Sequence, residues 1–322
     1  MKYNFLLIVI STSFLHSYTE NSALYYGNFS DNFVIRWGFQ NICQHHYDLR
    51  PWHPTEEEGV TVEPSAVGKG DLVFVRDINK FMETVHPLIN NPYIIVTSGE
   101  FRDGAFPQYE DYLNDTKIIA WFCVHPCCNW FPKNFYPIPL GIIQNRAYYH
   151  NRESMNQFFY KLRQTRKKHL LYMNFEKNRT IAMRTYEDRE DVYNLFKNKS
   201  FCRKGQQQSF KNFLKEMAQC KFVLSPDGLG PDCYRTWEAL LVGSIPVVKS
   251  SAKDGLFKDL PVLIVNNWHD VTESLLTKTW NEFTKKRFNI ETLYMEYWVK
   301  KIHNVQAEFL SNQTTDFDKQ AK

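Results

Sequence analysis

Short apolar runs, separated by polar residues and turn formers, recur along the chain and predict the alternating strands and helices of an α/β protein. In the first half, Asp71–Val75, Tyr93–Thr97 and Ile118–Phe122 are almost entirely apolar, which indicates buried strands of a parallel sheet. Pro137–Gly141 contains two prolines and therefore predicts a loop or an edge strand.

The second half repeats this pattern and ends in a long amphipathic segment. Its predicted strands are His169–Met173, Phe222–Ser225, Ile245–Val248 and Val262–Val265. Apolar residues at helical spacing then predict a helix with one face in the core. These residues are Ile290, Leu293, Tyr294, Tyr297, Trp298, Ile302, Val305 and Phe309. From Asn312 onward the chain is polar, which predicts a disordered tail.

These segments predict two domains and a C-terminal extension. An N-terminal α/β domain covers residues 24–155, and a C-terminal α/β domain covers residues 165–285. The amphipathic helix follows at 286–311 and the tail at 312–322. The boundary lies near a basic stretch, Lys161–His169, which predicts a solvated helix end or an interdomain linker rather than a nuclear signal.

Residues 1–23 have the pattern of a secretory signal peptide. Lys2 precedes the apolar run Phe5–Ile10, and small residues follow near Ser22 and Ala23. The run is shorter than the ~20 apolar residues that span a bilayer. A buried first helix and an uncleaved Golgi-type anchor are the alternatives, and such an anchor is the only membrane contact expected. Five Asn-x-Ser/Thr sequons agree with an ER or Golgi lumenal or secreted protein, and they lie at Asn28, Asn114, Asn178, Asn198 and Asn312.

Composition excludes some partners and leaves others open. The balance of 39 basic against 35 acidic residues gives a net charge of +4, too small to indicate nucleic acid. Aromatic residues reach 16%, and such rings can stack on sugars. The run Cys123–Cys128 lacks the second ligand pair of a zinc site, so it predicts buried thiols or a disulfide and no metal.

The most informative segment is Lys221–Ser250, which predicts one βαβ unit. Strand Phe222–Ser225 leads into the turn-rich loop Pro226–Pro231, and a helix begins near Asp232. Gly243 is placed to end this helix before the strand at Ile245. A glycine-containing loop at a helix N-terminus suits a phosphate, because the first N–H groups of the helix lack internal partners.

Two charged residues of this helix fit a nucleotide. Arg235 lies in the first turn, where its guanidinium could bond a diphosphate through two N–H groups. Glu238 follows three residues later on the same helix face and could accept hydrogen bonds from ribose hydroxyls. The alternative is an ordinary ion pair between Arg235 and Glu238 on the helix surface.

The segment from Ser225 to Val248 closely resembles the signature of exostosin-like glycosyltransferases. The matching pattern is Ser225-Pro226-x-Gly228-x-Gly230-x-Asp232-Cys233-x-Arg235-Thr236-Trp237-Glu238-Ala239-Leu240, followed by Gly243-Ser244-Ile245-Pro246-Val247-Val248. Tyr109–Phe122, Lys133–Ile142 and Leu171–Arg184 also resemble that group. One departure is Asp227, where a proline or arginine is more usual, because it places a negative charge near the expected phosphates. Another is the short N-terminal half.

The resemblance implies a GT-B-like fold, in which two Rossmann-like domains face each other across a cleft. It also implies a nucleotide-sugar site formed by Ser225, Gly228, Gly230, Arg235, Glu238, Asn174 and Arg184. The catalytic base of such enzymes comes from the N-terminal domain. Glu100, Asp103 and His125 follow predicted strands there, and they are the candidates in that order.

The function implied is transfer of a sugar from a nucleotide diphosphate donor to a glycan or glycoprotein acceptor, with inversion. No Asp-x-Asp motif lies at a strand end, so neither a metal nor another cofactor is expected. A non-catalytic carbohydrate-binding or chaperone-like relative of the same fold is the alternative. A sulfotransferase-like enzyme would need a phosphate loop near the N-terminus, which the sequence lacks.

Overall fold

The computed structural model describes residues 25–26, 32–48, 60–98, 112–125, 133–143, 152–177, 189–228 and 230–320. Within these ranges, each half of the chain forms a five-stranded parallel sheet. This confirms the predicted α/β class, with a Rossmann-like sheet in each half. None of the helices in the described ranges is long and apolar enough to cross a membrane. The predicted signal peptide, residues 1–23, lies outside the described residues.

The first half contains β1 (Tyr25–Tyr26), α1 (Arg36–Asn41), β2 (His45–Tyr47), β3 (Leu72–Val75), α2 (Ile78–Thr84), β4 (Tyr93–Thr97), β5 (Ile118–Cys123) and β6 (Phe135–Pro137). Strands β2 to β6 pair side by side in chain order. Every residue of β3 and β4 is buried, as is typical of parallel sheets covered on both faces. Since β6 lies at the edge and a loop follows it, the prediction for Pro137–Gly141 is confirmed.

The second half contains α3 (Arg152–Arg163), β7 (His169–Met173), α4 (Arg189–Phe196), β8 (Cys202–Lys204), α5 (Phe210–Ala218), β9 (Cys220–Leu224), α6 (Tyr234–Leu241), β10 (Ile245–Lys249), β11 (Leu263–Val265), α7 (Glu273–Phe283), β12 (Phe288–Asn289) and α8 (Met295–Gln320). Its sheet has the order β8-β7-β9-β10-β11. This is the 2-1-3-4-5 order of flavodoxin-like proteins, in which the strand order reverses between the first and third strands. Ligands bind such sheets outside the carboxyl ends of the strands at this switch point. The fold therefore points to the loops after β7 and β9.

The basic stretch at the junction of the halves is a helix end and a linker, as predicted, but it is not fully solvated. Helix α3 ends at Arg163, which is 5% exposed. The Nζ of Lys167 donates hydrogen bonds to the carbonyl of Ala218 and the hydroxyl of Ser244, both at 2.9 Å. Because the last carbonyls of a helix lack internal partners, Lys167 satisfies one at the end of α5.

The C-terminal helix differs from the prediction at both ends. It begins at Met295, so Ile290 and Leu293 are buried core residues that precede the helix. It continues to Gln320, so the prediction of a disordered tail from Asn312 is wrong for residues 312–320. This stretch contains neither glycine nor proline, and a polar composition by itself does not end a helix.

Helix α8 packs against the first half of the chain. It contacts β5, and the Gln306 side chain donates a hydrogen bond to the carbonyl of Gly70 at 2.8 Å. The Nζ of Lys69 lies 5.9 Å from the centre of the Phe309 ring. One apolar cluster contains residues of both sheets together with Ile302 of this helix. The C-terminal segment therefore helps to complete the core of the N-terminal half.

The loop after β6 makes a close backbone approach that only glycine permits. Gly141 has a φ of +76°, and a Cβ added there would lie 1.9 Å from the carbonyl oxygen of Val34. The next residue, Ile142, donates its N–H to the same oxygen at 3.0 Å. Residues 138–143 are therefore held on the segment before α1.

We expect Gly141→Ala to lower the free energy of unfolding by about 2–4 kcal/mol, because the methyl group collides with backbone and the φ is strained. Thermal or denaturant unfolding of the purified chain would measure this. The matched control is Gly255→Ala, since a Cβ there meets nothing within 4 Å. Equal stability of the two variants would contradict the assigned loop conformation.

Candidate functional site

The predicted donor-site residues converge at the switch point of the second sheet. Asn174 follows β7, and Ser225 follows β9, whose parallel pairing with β7 brings their carboxyl ends together. The loop from Ser225 leads to α6, which carries Arg235 and Glu238. Strands β9 and β10 pair in parallel around α6, which confirms the predicted βαβ unit. Gly243, with a φ of +75°, follows the helix end as expected.

The loop between β9 and α6 is held by its own buried polar groups. The Ser225 hydroxyl lies 2.8 Å from Oγ1 of Thr236 and 3.1 Å from Sγ of Cys233. The N–H of Gly228 donates to the carbonyl of Gly230 at 2.9 Å, which closes a tight turn. Ser225 is 1% exposed, so its side chain stabilises the loop from inside.

Arg235 joins the two loops of the switch point. Its Nε donates to the carbonyl of Asn174 at 3.1 Å, and its guanidinium lies 5.3 Å from the centre of the Phe175 ring. Both contacts fix the guanidinium in the first turn of α6, at the N-terminal end of the helix. The arrangement places a planar cation and the positive end of a helix dipole at the ligand-binding edge of the sheet.

Asp227, the departure in the loop, is neutralised by a residue that the sequence does not single out. Its carboxylate lies 3.3 Å from Nζ of Lys253, whose side chain is 0% exposed. Burial alone would lower the pKa of Lys253, but the carboxylates of Asp227 and Asp232 outweigh burial and raise it, so the ammonium stays charged. Lys253 lies beyond the carboxyl end of β10, and that position is the only sequence signal for it.

The candidate base His125 packs against the loop between β9 and α6, residues 225–232, which is called the donor loop below. It follows β5, has a φ of +64° and is 3% exposed. Its Nδ1 accepts the N–H of Asp232 at 3.3 Å. A Cβ on Gly230 would lie 2.6 Å from the same nitrogen, so the loop needs glycine at this position. An acceptor Nδ1 carries no proton, so neutral His125 holds its proton on Nε2.

Asp232 ties α6 to the first half of the chain. Its carboxylate accepts the N–H of Leu140 at 2.9 Å and the indole N–H of Trp237 at 2.8 Å. It also accepts the N–H of Cys233 at 2.9 Å. Burial raises the pKa of this carboxyl, and these donors together with Lys253 oppose the rise. The segment Pro137–Gly141 of the first half thus contacts the N-terminal end of α6.

Glu238 is enclosed at the same junction. It is 3% exposed, and its carboxylate accepts the N–H of Ile143. Burial raises its pKa to about 7, although the charge of Arg235 and the Ile143 bond act in the opposite direction. A surface ion pair, the sequence-based alternative, does not describe this buried carboxyl. Its contact with ribose stays a prediction, and a ribose would have to share the carboxylate with Ile143.

Three predicted site residues lie outside the described residues: Glu100, Asp103 and Arg184. The segment that contains Glu100 and Asp103 follows Ser98, whose buried hydroxyl has no hydrogen-bond partner among the described residues. The cysteines of the described ranges, which include Cys123 and Cys233, are buried. Within the described ranges, no group of histidine, cysteine or acidic side chains has the geometry of a metal site.

The buried Glu238 predicts a characteristic pH dependence of stability. Its folded-state pKa, about 7, lies above the ordinary 4.5, so the folded protein holds this proton more tightly than the unfolded chain. Stability should therefore fall as pH rises from about 4.5 to 7, by up to about 3 kcal/mol from this group. Glu238→Gln cannot titrate and should lack this part of the decline.

Unfolding midpoints of the wild type and Glu238→Gln between pH 4.5 and 8 would measure the difference. The control is Glu282→Gln, because the Glu282 side chain is 53% exposed. A wild type and a Glu238→Gln variant with parallel pH profiles would show that Glu238 is not buried as described.

Comparison with known proteins places this site in a family. The profile of the RXYLT1 C-terminal domain matches residues 149–314, which is just over half of the 322 residues. A comparison with curated proteins finds no match. Similar solved structures include AviGT4, a glycosyltransferase involved in avilamycin A biosynthesis, with 11% identity, a TM-score of 0.37, and coverage of 82% of this chain and 98% of that one. Another is the N-terminal domain of Candida albicans trehalose-6-phosphate phosphatase, with 10% identity, a TM-score of 0.34, and coverage of 74% and 71%.

The matched range contains β7 to β11, the loop from Ser225 to Asp232, and Arg235. The chain belongs to the RXYLT1 C-terminal domain family, an exostosin-like glycosyltransferase family.

Proposed function

We propose that this protein transfers a hexose or pentose from a nucleotide diphosphate donor to a glycan or glycoprotein acceptor, with inversion and without a metal. The observation that carries the proposal is the position of Arg235. Its guanidinium bridges the loops after β7 and β9 at the N-terminus of α6, within the family-matched half of the chain. A diphosphate at this position would meet a bidentate donor and the positive end of the helix dipole.

In the proposed reaction, the acceptor hydroxyl oxygen attacks the anomeric carbon of the donor sugar. The bond from that carbon to the diphosphate oxygen breaks, and its electron pair stays on the diphosphate. Negative charge thus grows where Arg235 and the helix N-terminus are placed, so they stabilise the transition state more than the ground state.

The hydroxyl proton passes to a base from the first half of the chain. Glu100 and Asp103 remain the first candidates, in the segment after β4. His125 is the third, and its position supports a different contribution, because its ring packs on Gly230 and its Nδ1 accepts the Asp232 N–H. We assign it the role of holding the donor loop against β5.

A non-catalytic relative that binds carbohydrate or acts as a chaperone is the second candidate. Asp227 favours it in the sequence, because a carboxylate would repel phosphate. The Lys253 ammonium, 3.3 Å away, offsets that charge and weakens the objection. A panel of nucleotide sugars, scored for nucleoside diphosphate release with and without acceptor glycans, separates the two. Release above background favours the transferase, and binding without release favours the relative.

Replacement of Arg235 tests the site directly. Arg235→Ala should lower kcat by roughly 10²–10³-fold, as when one electrostatic donor is removed from a transition state. Arg235→Lys should recover only part of this loss, because an ammonium has no planar fork. Glu238→Gln should mainly raise the donor KM, since ribose contacts exist in both the ground and the transition state.

The matched control is Arg203→Ala, in the same domain. Arg203 lies 3.1 Å from Glu216 and 2.8 Å from Nε2 of His169, and neither of these partners belongs to the donor loop. Steady-state kinetics of the four variants would make the comparison. If the wild-type protein is active and both Arg235 variants have wild-type kinetics, α6 does not form the donor site.

We further propose that the chain enters the secretory pathway and is glycosylated at Asn114 and Asn198. Both asparagines are exposed in turns of the structure. Expressed in a eukaryotic cell, the protein should lose mass on enzymatic deglycosylation, and Asn114→Gln and Asn198→Gln should each remove one glycan. A full-length, unglycosylated cytosolic product would contradict the proposal.

A further inference from the structure

The starting observation is a buried lysine at the edge of the donor loop. Lys253 lies beyond β10, at the start of the turn Asp254–Phe257, and its side chain has no exposed surface. Within the described residues, its ammonium has one hydrogen-bond partner, the Asp227 carboxylate at 3.3 Å. Because an enclosed charge is costly without a counterion, this pair fixes Asp227 in one position.

Asp227 makes a second contact on its backbone side. Its carbonyl oxygen accepts the Nε–H of Arg189, the first residue of α4, at 2.6 Å. A methyl group at Gly228 would lie 3.4 Å from Nη2 of Arg189, so the guanidinium lies directly on the glycine turn. Lys253 and Arg189 therefore hold the same loop residue, one through its side chain and the other through its carbonyl.

Arg189 and Arg235 share an aromatic neighbour. Their guanidinium carbons lie 5.9 Å and 5.3 Å from the centre of the Phe175 ring. Two cations near one ring repel each other, and the Asp227 carboxylate, which interacts electrostatically with Arg189 as well as with Lys253, partly opposes this repulsion. The cation–π contacts and backbone bonds preset both guanidinium groups before a ligand arrives.

We propose that Arg189 is a second diphosphate-binding residue of the donor site, and that Lys253 is a positioning residue that acts on it through Asp227. The inference rests on the proposed function, because it assigns a second cation to the same site. Two guanidinium groups can each bond a separate phosphate group of a nucleoside diphosphate, whereas a monophosphate offers a single phosphate group. The proposal also assigns a role to Asp227, which binds Lys253 through its carboxylate and Arg189 through its carbonyl.

The test measures nucleotide binding by the purified full chain in calorimetric titrations. UDP, GDP and ADP are compared with their monophosphates, and the tightest diphosphate is used with each variant. Arg189→Ala should weaken diphosphate binding roughly 10- to 100-fold, the effect of a lost charge-assisted hydrogen bond, and should change monophosphate binding much less. Arg203→Ala is the control arginine and should leave both affinities unchanged.

A double-mutant cycle tests whether Lys253 acts on Arg189 through Asp227, an arrangement called the relay below. Lys253→Met should weaken diphosphate binding, and adding Lys253→Met to Arg189→Ala should cause little further loss, because Lys253 acts through Arg189. Since Lys253→Met leaves Asp227 unpaired and could fail to fold, the pair Lys253→Met with Asp227→Asn removes both charges together. Loss of diphosphate selectivity in that folded pair supports the relay, and full retention overturns it.

The outcomes separate the two proposals. If the wild type binds none of the nucleotides, the donor site itself is wrong and the relay falls with it. If the wild type binds a diphosphate and Arg235→Ala weakens it, while Arg189→Ala and Lys253→Met do not, the donor site stands and the relay is overturned. Additive losses for Lys253 and Arg189 would overturn the positioning role of Lys253.

Discussion

The buried carboxylate of Asp232 is the interaction on which the site depends. It accepts N–H groups from Leu140, Trp237 and Cys233, so one side chain joins the loop after β6, the body of α6 and its first turn. An enclosed carboxylate without such donors would be strongly destabilising, so the three contacts must persist together. Asp232 consequently sets both the geometry of the donor loop and the position of the first half relative to the second.

Charge around this junction is arranged in enclosed groups of opposite sign. Lys253 lies near both Asp227 and Asp232, and Arg235 lies near Glu238. Glycine is required where the second half meets the first, at Gly230 against His125, and where two segments of the first half meet, at Gly141 against Val34. The halves are thus joined by short backbone distances and buried polar groups in addition to apolar packing, which makes their mutual position specific.

The sequence predicts the features that repeat or resemble a known pattern. Strand β4 has the predicted bounds, and α6 begins within two residues of the predicted start, because apolar runs and glycine turns are local signals. Strands β2 and β8 are missed, since His45–Tyr47 and Cys202–Lys204 are short and carry no apolar run. They are strands because their neighbours in the sheet pair with them.

The chemical surroundings of the site follow even less from the sequence. The pattern identifies Arg235 as a helix cation, but its partner Phe175 comes from the loop of another strand. Asp227 carries a charge that is unfavourable for phosphate binding when the loop is considered alone. The ammonium of Lys253, a residue outside this loop, offsets that charge. The enclosure of Glu238 by Ile143 similarly depends on how the halves pack. Such partners are set by tertiary contacts between distant segments, which local patterns do not encode.

The strand order of the two sheets has a consequence for synthesis on the ribosome. In the first sheet each strand pairs with the one made just before it, so the sheet can grow at one edge as the chain emerges. Helix α8, which packs on this sheet, is made after the strands of both sheets, and β1 pairs with β12, which is also made late. A nascent chain therefore exposes apolar surface of the first sheet until α8 has emerged, and such surface is prone to aggregate during that interval.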